Sequence, residues 1–355
     1  MKGLILAAGK GTRLKPLTST IPKHLLPVAN KLILFYVLEQ LKDAGLTDIG
    51  IVVSPETGTD IELAVKNGSA WDVKITYILQ RQPLGLAHAV KAATEYLADS
   101  PFLLFLGDNL IKYRVKDLIS KYSAHSPDAL IVLKEVVDPR AFGVAEVDSG
   151  GKVRRVVEKP KEPKSNLALV GAYIFTPVIH QAISELKPSW RGEYEITDAI
   201  QGLLDMGKNV YSHVLDGWWL DTGKKEDLLE ANRTLLGEYL PNRLDGRIDS
   251  ASRINGSVGL GAGSIVENSE IQGPAVIGAN CRVINSFIGP FTSIGDETAI
   301  RNSAVKYSIV LNNSSILDIK QIENSVIGRN VEIKHKPAES GAAVLFIGDN
   351  AKLEL

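Results

Sequence analysis

A glycine-rich stretch near the start of the chain carries the first residues whose types suggest chemistry. Gly9-Lys10-Gly11-Thr12-Arg13 follows directly on the apolar run Leu4-Ile5-Leu6. Glycine permits a positive φ and lets backbone N–H groups approach an anion, because no Cβ stands in the way. Arg13 and Lys23 supply the positive charge that a polyphosphate needs. The stretch therefore predicts a phosphate site for a nucleotide.

Neither standard phosphate motif fits this loop. A P-loop needs a glycine, four residues and then Gly-Lys-Ser/Thr, but Gly9-Lys10 is followed by Gly11 and position 4 is Leu4. The dinucleotide fingerprint needs a third small residue where the chain has Leu14. On the glycines alone, a purely structural turn remains an alternative.

Two aspartates are the candidate metal ligands. Asp108 follows Leu106-Gly107, and Asp221 follows Trp218-Trp219-Leu220, so each comes directly after an apolar run. Mg2+ takes one or two protein carboxylates together with phosphate oxygens and water. A single aspartate at such a place is often a helix cap or a turn residue, so the prediction depends on the pair.

Composition excludes several other classes of function. The chain has 355 residues, a formal net charge of -1, 45% hydrophobic and 23% charged residues, and shows no block of Lys or Arg. The composition therefore predicts neither nucleic-acid binding nor disorder. The length of the chain predicts two domains. With Cys281 as the single cysteine, no intramolecular disulfide can form. The N-terminal apolar run is too short for a signal peptide and no run is long enough for a membrane span, so we expect a cytoplasmic protein.

The residues before about position 138 alternate between short apolar runs and amphipathic stretches. This pattern predicts a mostly parallel, Rossmann-like sheet with helices on both faces. Ligands of such sheets bind beyond the carboxyl ends of the strands, where the glycine-rich loop and Asp108 both fall. Predicted strands are Leu4–Leu6, Ile49–Val53, Ile75–Leu79 and Phe102–Leu106, and predicted helices are Leu34–Lys42, one near Ile61, and Ala87–Leu97.

The next segment is β-rich and then helical. A turn at Asp148–Lys152 predicts a hairpin, and the whole β-rich part is expected to be a substrate-facing insertion in the sheet. Predicted strands are Val144–Val147, Val153–Val157, Leu169–Phe175 and Val210–Val214, and predicted helices are Pro177–Leu186, Ile196–Met206 and Glu226–Gly237.

Beyond Pro241 an isoleucine or valine recurs every five or six residues, from Ile265 to Ile333, with turn-prone residues between. This spacing is typical of a parallel β-helix, in which each coil stacks one aliphatic side chain on the next. Its hexapeptide form resembles left-handed β-helices. A β-sandwich would instead show a period of two. We therefore predict a catalytic domain over residues 1–240 and a left-handed β-helix domain over residues 241–355.

The motifs taken together resemble the signature of the sugar-1-phosphate nucleotidylyltransferases. The resemblance extends to about Tyr239 and is strongest to the glucose-1-phosphate thymidylyltransferase branch, in the longer form that has a C-terminal left-handed β-helix. It rests on Gly9-x-Gly11-Thr12-Arg13-Leu14-x-Pro16-Leu17-Thr18, Pro22-Lys23, Leu26-Pro27-Val28, Leu106-Gly107-Asp108-Asn109, Glu158-Lys159-Pro160, Gly192-Glu193-x-Glu195-Ile196-Thr197-Asp198 and Trp219-Leu220-Asp221-Thr222-Gly223.

The resemblance implies an activity and residues for it. The reaction would be attack of glucose 1-phosphate on the α-phosphorus of dTTP, giving dTDP-glucose and pyrophosphate with Mg2+ as cofactor. The implied catalytic residues are Arg13, Lys23 and Lys159. The implied nucleotide-binding residues are Leu6, Ala8, Gly9, Gly11, Thr12, Gln80, Pro83 and Gly85. Those implied for the sugar phosphate are Asp108, Gly143, Glu158, Lys159 and Val170, and those for the metal are Asp108 and Asp221.

Three alternatives remain open at this stage. The enzyme could use UTP or several sugar 1-phosphates, and the chain could instead be a non-catalytic subunit that senses sugar nucleotides. A C-terminal acyltransferase is disfavoured because no histidine lies between Asp216 and Lys334, and His335 is expected to be a surface residue. Predicted partners are dTTP or UTP, glucose 1-phosphate and further copies of the chain, with no nucleic acid and no membrane.

Overall fold

The computed structural model describes residues 1–239 and 243–335. Its contacts group the chain into two compact units. The first contains Met1–Lys10, Pro22–Leu25 and Ile33–Asp221; the second contains Gly11–Ile21, Leu26–Leu32 and the chain from Thr222 onward. The domain boundary between residues 240 and 241 stays a prediction, and residues 240–242 and 336–355 of the predicted domains lie outside the described residues.

The elements before residue 240 follow the predicted alternation. The strands are β1 (Lys2–Leu6), β2 (Pro27–Val28), β3 (Lys31–Leu32), β4 (Asp48–Val53), β5 (Lys74–Leu79), β6 (Phe102–Leu106), β7 (Asn109–Ile111), β8 (Ala129–Glu135), β9 (Gly143–Val147), β10 (Val153–Glu158), β11 (Leu167–Phe175), β12 (Val210–Val214) and β13 (Trp219–Asp221). The helices are α1 (Ile33–Asp43), α2 (Gly58–Val65), α3 (Leu86–Ala92), α4 (Thr94–Leu97), α5 (Val115–His125), α6 (Ile179–Ser184), α7 (Ile196–Asp205) and α8 (Lys225–Tyr239).

The predicted fold class is confirmed in the first unit. Nine strands form one sheet, in which the order β10-β9-β11-β6-β1-β4-β5 is extended by β8 on β11 and by β12 on β8. The sheet is mixed: β1, β4, β5 and β6 pair in parallel, whereas β11 runs antiparallel to β6, β8 and β9. The predicted β9–β10 hairpin is present.

Helices cover both faces of this sheet. Leu4 and Leu6 of β1 belong to one core with residues of α3, α6 and α7. The opposite face of β1 meets α1, since a Cβ on Gly3 would lie 3.0 Å from Cδ2 of Leu41. Successive side chains of a strand point to opposite faces of the sheet. Because helices cover both faces of β1, its side chains are apolar on both faces and form a continuous apolar run in the sequence.

Two details of the first unit differ from the sequence predictions. The single helix predicted at Ala87–Leu97 is wrong, because α3 and α4 are separated at Ala93, whose φ of -91° and ψ of 3° are not helical. The strands β7, β8 and β13 and the helix α5 were not predicted. Strand β8 lies between β11 and β12, so it is buried inside the sheet.

The second unit contains the predicted left-handed β-helix arrangement. Strands β14 to β30 form three sheets, and every neighbouring pair in them is parallel, so the β-sandwich alternative is excluded. Partners lie about one coil apart along the chain; the side chains of Asn268 and Asn285, separated by 17 residues, are hydrogen-bonded. The strands are β14 (Arg243–Leu244), β15 (Arg247–Ile248), β16 (Arg253–Asn255), β17 (Val258–Leu260), β18 (Ile265–Glu267), β19 (Glu270–Gln272), β20 (Ala275–Ile277), β21 (Arg282–Ile284), β22 (Phe287–Ile288), β23 (Thr292–Ile294), β24 (Ala299–Arg301), β25 (Ala304–Lys306), β26 (Ile309–Val310), β27 (Ser315–Leu317), β28 (Ile322–Glu323), β29 (Val326–Ile327) and β30 (Glu332–Lys334).

Asn232 joins α8 to two other parts of the second unit. Its side chain is fully buried. Its Oδ1 accepts hydrogen bonds from Ala29 N–H at 2.9 Å and from Ser293 Oγ at 2.6 Å, and its Nδ2 donates to the Phe291 carbonyl at 3.0 Å. One amide thus holds the residue after β2, helix α8 and strand β23 together.

No helix among residues 1–239 and 243–335 has both the length and the apolar character that crossing a bilayer requires.

Candidate active site

The carboxyl ends of β1 and β6 lie side by side. Ala7 N–H bonds the Val52 carbonyl at 2.8 Å and Gly107 N–H bonds the Leu6 carbonyl at 2.9 Å, so the sheet continues to the point where both strands end. Leu6 and Ala8, predicted to bind nucleotide, are buried there. Gly9 is exposed, and a Cβ on it would lie 2.8 Å from Cε of Lys23. A glycine at position 9 therefore makes room for the Lys23 side chain.

Lys23 and Asp108 form an ion pair at this edge of the sheet. Asp108 is 7% exposed, and Asn109 Nδ2 donates to its Oδ1 at 3.1 Å. Burial by itself raises the pKa of the Asp108 carboxyl. The charge of Lys23, then the charge of His24 and the hydrogen bonds of Lys23 and Asn109, together outweigh it, and the pKa falls below its usual value. The pair therefore brings an ionised carboxylate and an ammonium group together. The sequence analysis assigned separate roles to these two residues and did not predict their contact.

His24 lies directly behind the pair. Its side chain is 1% exposed, and its Nδ1 has no hydrogen-bond partner among the described residues. Burial, followed by the charge of Lys23, lowers the pKa of His24 to about 3. The imidazole is therefore neutral at pH 7 and adds no charge to the ion pair.

The second predicted metal ligand lies on the neighbouring strand. Strands β7 and β13 are antiparallel and pair Asp221 with Asn109, the residue after Asp108. Trp219 Nε1 donates to Asn109 Oδ1 at 2.6 Å, which holds the amide that also bonds Asp108. Asp221 is half-buried. The structure thus places Asp221 opposite the residue that follows Asp108.

Two of the residues predicted to hold the sugar phosphate, Gly143 and Lys159, lie beside Glu158. Its Oε2 accepts from Thr197 Oγ1 at 3.1 Å, and its Oε1 lies 3.5 Å from Lys159 Nζ. A Cβ on Gly143 would lie 2.5 Å from Thr197 Cγ2 and 3.2 Å from Glu158 Oε2, so only glycine fits there. Lys159 has a φ of 43°, a sparsely populated conformation for a residue with a side chain. Val170 is fully buried on β11, where the ladder to β8 is irregular.

Arg191 lies among three carboxylates. Its NH1 is 3.4 Å from Glu158 Oε1 and 3.2 Å from Glu195 Oε1, and its NH2 is 3.1 Å from Glu193 Oε1. Glu195 is 4% exposed, and burial is the main cause that raises its pKa. Arg191 therefore orients Glu158 and offsets the negative charge around it.

Aromatic rings connect the Glu158 cluster to the Asp108 cluster. The rings of Phe142 and Trp219 meet edge to face, with centroids 5.0 Å apart. Phe142 precedes Gly143, and its carbonyl accepts the N–H of Lys159 at 3.0 Å, while Trp219 bonds Asn109. The residues predicted for the sugar and those predicted for the metal thus share one continuous set of contacts in the first unit.

The loop predicted to read the base follows β5. The Gln80 side chain is 5% exposed, and its Nε2 donates to the Gly85 carbonyl at 3.1 Å. Gly85 has a φ of 100°, and a Cβ on it would lie 2.6 Å from the Tyr194 carbonyl oxygen. Pro83 is exposed at the tip of the loop. Tyr194 N–H bonds the Leu84 carbonyl at 2.7 Å, so the loop is attached to the segment that contains Glu193 and Glu195.

Three of the predicted phosphate-binding residues belong to the second unit. Gly11 has a φ of 63° and is followed by a single turn of 3-10 helix at Thr12–Leu14. Thr18 Oγ1 donates to the Gly11 carbonyl at 2.7 Å and closes this turn. Thr12 and Arg13 are exposed. Burial raises the pKa of Asp227, on α8, and the charge of Arg13 partly opposes that rise.

Comparison with known proteins identifies the family. The model of the nucleotidyl transferase family matches residues 2–238. The chain belongs to the nucleotidyl transferase family. Glucose-1-phosphate thymidylyltransferases of Streptomyces griseus and Streptomyces antibioticus are 46% and 47% identical to it, each over 100% of this chain and 99% of its own. A solved structure of a UDP-glucose pyrophosphorylase complexed with UDP-glucose has a TM-score of 0.61 and 29% identity, over 67% of this chain and 98% of that one.

A divalent metal is generally part of nucleotidyl transferase chemistry. The donors here suit a metal that takes only a few protein ligands, because Asp108 is ionised and Asp221 pairs with Asn109, the residue after Asp108. Within the described residues no group of three or more His, Cys, Asp or Glu side chains forms a metal cage. This donor set leaves coordination positions for phosphate oxygens and water.

Sequence reasoning missed three side chains that contact or adjoin the predicted site residues. Arg191 precedes the quoted Gly192-Glu193 motif, and the three acids that converge on it are the signal that could have revealed it. His24 follows Lys23, and His88 bonds Gln80. The catalytic and binding roles assigned to the predicted residues stay predictions.

Proposed function

We propose that the chain transfers a thymidylyl group from dTTP to glucose 1-phosphate and releases pyrophosphate. The observation that carries the proposal is the ionised Asp108 beside Lys23 at the carboxyl end of β6, in a chain that matches thymidylyltransferases along its full length. A phosphate oxygen of glucose 1-phosphate attacks the α-phosphorus in line with the leaving pyrophosphate. No covalent enzyme intermediate is needed, so the rate depends on positioning and on neutralising charge.

The basic residues neutralise different phosphates in this proposal. Arg13 binds the pyrophosphate part, where a planar guanidinium can hold two oxygens as negative charge builds up on the leaving group. Lys23 serves the α-phosphate region, and Lys159 serves the phosphate of the sugar. Lys159 lies beside Glu158, so a sugar whose phosphate meets Lys159 brings its hydroxyl groups within reach of that carboxylate.

Asp108 and Asp221 are the residues that would hold Mg2+. The ion would polarise the phosphoryl oxygens and neutralise charge on the triphosphate. Asp108 suits this role because it stays ionised in a buried position, and Asn109 and Trp219 keep its carboxylate oriented.

A pyrophosphate-release assay tests the function. The protein is incubated with Mg2+, glucose 1-phosphate and either dTTP or UTP, and the sugar nucleotide is identified by mass. We expect dTDP-glucose and pyrophosphate in equal amounts. Nucleotide binding without turnover would instead support the non-catalytic sensor.

A UTP-dependent or less selective enzyme is the second candidate. The structural similarity to a protein that binds UDP-glucose favours it. dTTP and UTP differ by one methyl group and one ribose hydroxyl, and a methyl-sized difference is worth only about 1 to 3 kcal/mol in an apolar pocket. Equal kcat/KM for dTTP and UTP in a competition assay would establish it. The predicted homo-oligomeric assembly and cytoplasmic location stay predictions.

A further inference from the structure

The amide of Gln80 is held in one orientation. Its Nε2 donates to the Gly85 carbonyl at 3.1 Å and lies 3.0 Å from Nδ1 of His88. A carbonyl oxygen only accepts hydrogen bonds, so the amide nitrogen, and not the amide oxygen, must face Gly85. Rotating the amide by half a turn would set two carbonyl oxygens against each other.

The same geometry defines the state of His88. An amide nitrogen only donates, so Nδ1 of His88 must accept and its proton must be on Nε2. The imidazole stacks on the ring of Tyr194 with centroids 6.2 Å apart. Burial, and then the charge of Lys91, lowers the pKa of His88, which favours the neutral ring that this bond requires.

Both hydrogens of the Gln80 amide are therefore used inside the protein. No donor among residues 1–239 and 243–335 bonds its Oε1. The side chain consequently offers a ligand an acceptor and no donor.

A lone acceptor distinguishes between pyrimidine bases. Thymine and uracil have an N–H at ring position 3, which can donate to Oε1. Cytosine has a lone pair at that position, which would face the lone pairs of Oε1. A buried polar group left unpaired costs about 1 to 3 kcal/mol, enough for discrimination of tenfold or more.

We propose that His88 is a positioning residue that presents the acceptor oxygen of Gln80 to the base and thereby selects thymine or uracil nucleotides over cytosine nucleotides. This inference rests on the proposed function and on the predicted role of Gln80 in binding the base. His88 acts through Gln80 and need not touch the substrate. Without it, one amide hydrogen loses its partner and only the Gly85 carbonyl opposes rotation of the amide.

Two substitutions separate this role from a purely structural one. His88→Phe keeps a ring beside Tyr194 but removes the acceptor, whereas His88→Asn offers a side-chain oxygen close to the place of Nδ1. The values of kcat/KM for dTTP and dCTP are measured with Mg2+ and saturating glucose 1-phosphate. We expect His88→Phe to lower the dTTP-to-dCTP ratio about tenfold and His88→Asn to stay within about threefold of the wild type. The KM for glucose 1-phosphate should not change in either variant.

The outcomes separate this proposal from the proposed function. A wild-type protein that turns over dTTP, together with a His88→Phe variant of unchanged ratio, would overturn the role of His88 alone. Equal losses in His88→Phe and His88→Asn would also overturn it. If His88→Phe does not fold, His88→Leu gives the same comparison. A wild-type protein that converts neither dTTP nor UTP would overturn the proposed function and this inference with it.

Discussion

The two regions of the molecule bury different kinds of polar group. In the first unit, His24, Asp108 and Glu195 are less than 9% exposed. In the described β-helix residues 243–335, the buried polar side chains are all serine or threonine hydroxyls, apart from the Cys281 thiol. Burying a charge is expensive unless it is paired, so buried ionisable groups concentrate where they serve chemistry. We therefore expect substitution of Asp108 to alter activity and substitution of the buried β-helix residues to alter stability.

The two regions also satisfy their polar groups differently. Lys23 and Asp108 are 85 residues apart in sequence and depend on the whole sheet to meet. In the β-helix, Ser269 Oγ accepts the N–H of Ser286, one coil later, and the same bond repeats between Ser286 and Ser303. A change in the first network should therefore alter activity, and a change in the second should alter stability.

Asp108→Asn should have the largest effect. The amide cannot neutralise Lys23 or bind a metal as a carboxylate does, so kcat should fall by on the order of 10² to 10³. The matched control is Asp318→Asn, at an exposed corner of the β-helix where the carboxylate accepts from Asn302 at 2.7 Å. Pyrophosphate release measures both variants. Wild-type turnover in Asp108→Asn would contradict the expectation that the buried charges of the first unit determine activity.

Ile300→Ala should separate stability from activity. Ile300 is fully buried between Val283 and Ile316 of neighbouring coils. The cavity should lower the free energy of unfolding by about 2 to 5 kcal/mol, measured by urea denaturation. The folded variant should keep its kcat. The control is Arg301→Ala at the next, exposed position, which should change neither quantity. A loss of kcat in Ile300→Ala as large as that of Asp108→Asn would contradict a purely structural role for the stacked aliphatic side chains of the β-helix.

His24→Gln should change how stability depends on pH. The folded protein keeps His24 neutral down to about pH 3, whereas the unfolded chain protonates it near pH 6.5. Stability should therefore fall as the pH drops from about 6.5 towards 3, by up to about 1.4 kcal/mol per pH unit for this one group. Urea unfolding at pH 5 and pH 7.5 should show a shallower pH dependence for His24→Gln than for the wild type. Replacement of the exposed His335 by Gln is the control. If the free energy of unfolding depends equally on pH in all three proteins, His24 does not have the lowered pKa assigned to it.

Asn285 should give the smallest effect. It has a φ of 49°, accepts from Asn268 at 2.8 Å and donates to Asn302 at 3.2 Å. Asn285→Gly keeps the left-handed backbone and loses only these exposed bonds, so it should destabilise by about 1 kcal/mol or less. Asn285→Ala should destabilise by roughly 1 kcal/mol more, because alanine resists a positive φ. Both variants lose the same side-chain hydrogen bonds, so urea denaturation that ranks them in the opposite order would contradict the cost assigned to the positive φ.

Local patterns explain why much of the fold could be predicted. The period of the aliphatic residues after Pro241 is set by one coil and its neighbours, so the β-helix was visible in the sequence. The family resemblance is also confirmed. Strand β8 was missed although Ala129–Leu133 is apolar, and its partners β11 and β12 lie far away in sequence. Arg191 could not be assigned because its bond to Glu158 depends on tertiary contacts.

Stereochemistry at phosphorus tests the central claim most directly, because the account requires one direct displacement helped by preorganised charges. The isomer of dTTPαS that the protein accepts is reacted with glucose 1-phosphate, and the configuration of the dTDPαS-glucose product is determined by 31P NMR. The account predicts inversion at the α-phosphorus. Retention would reveal a covalent nucleotidyl intermediate and would contradict it.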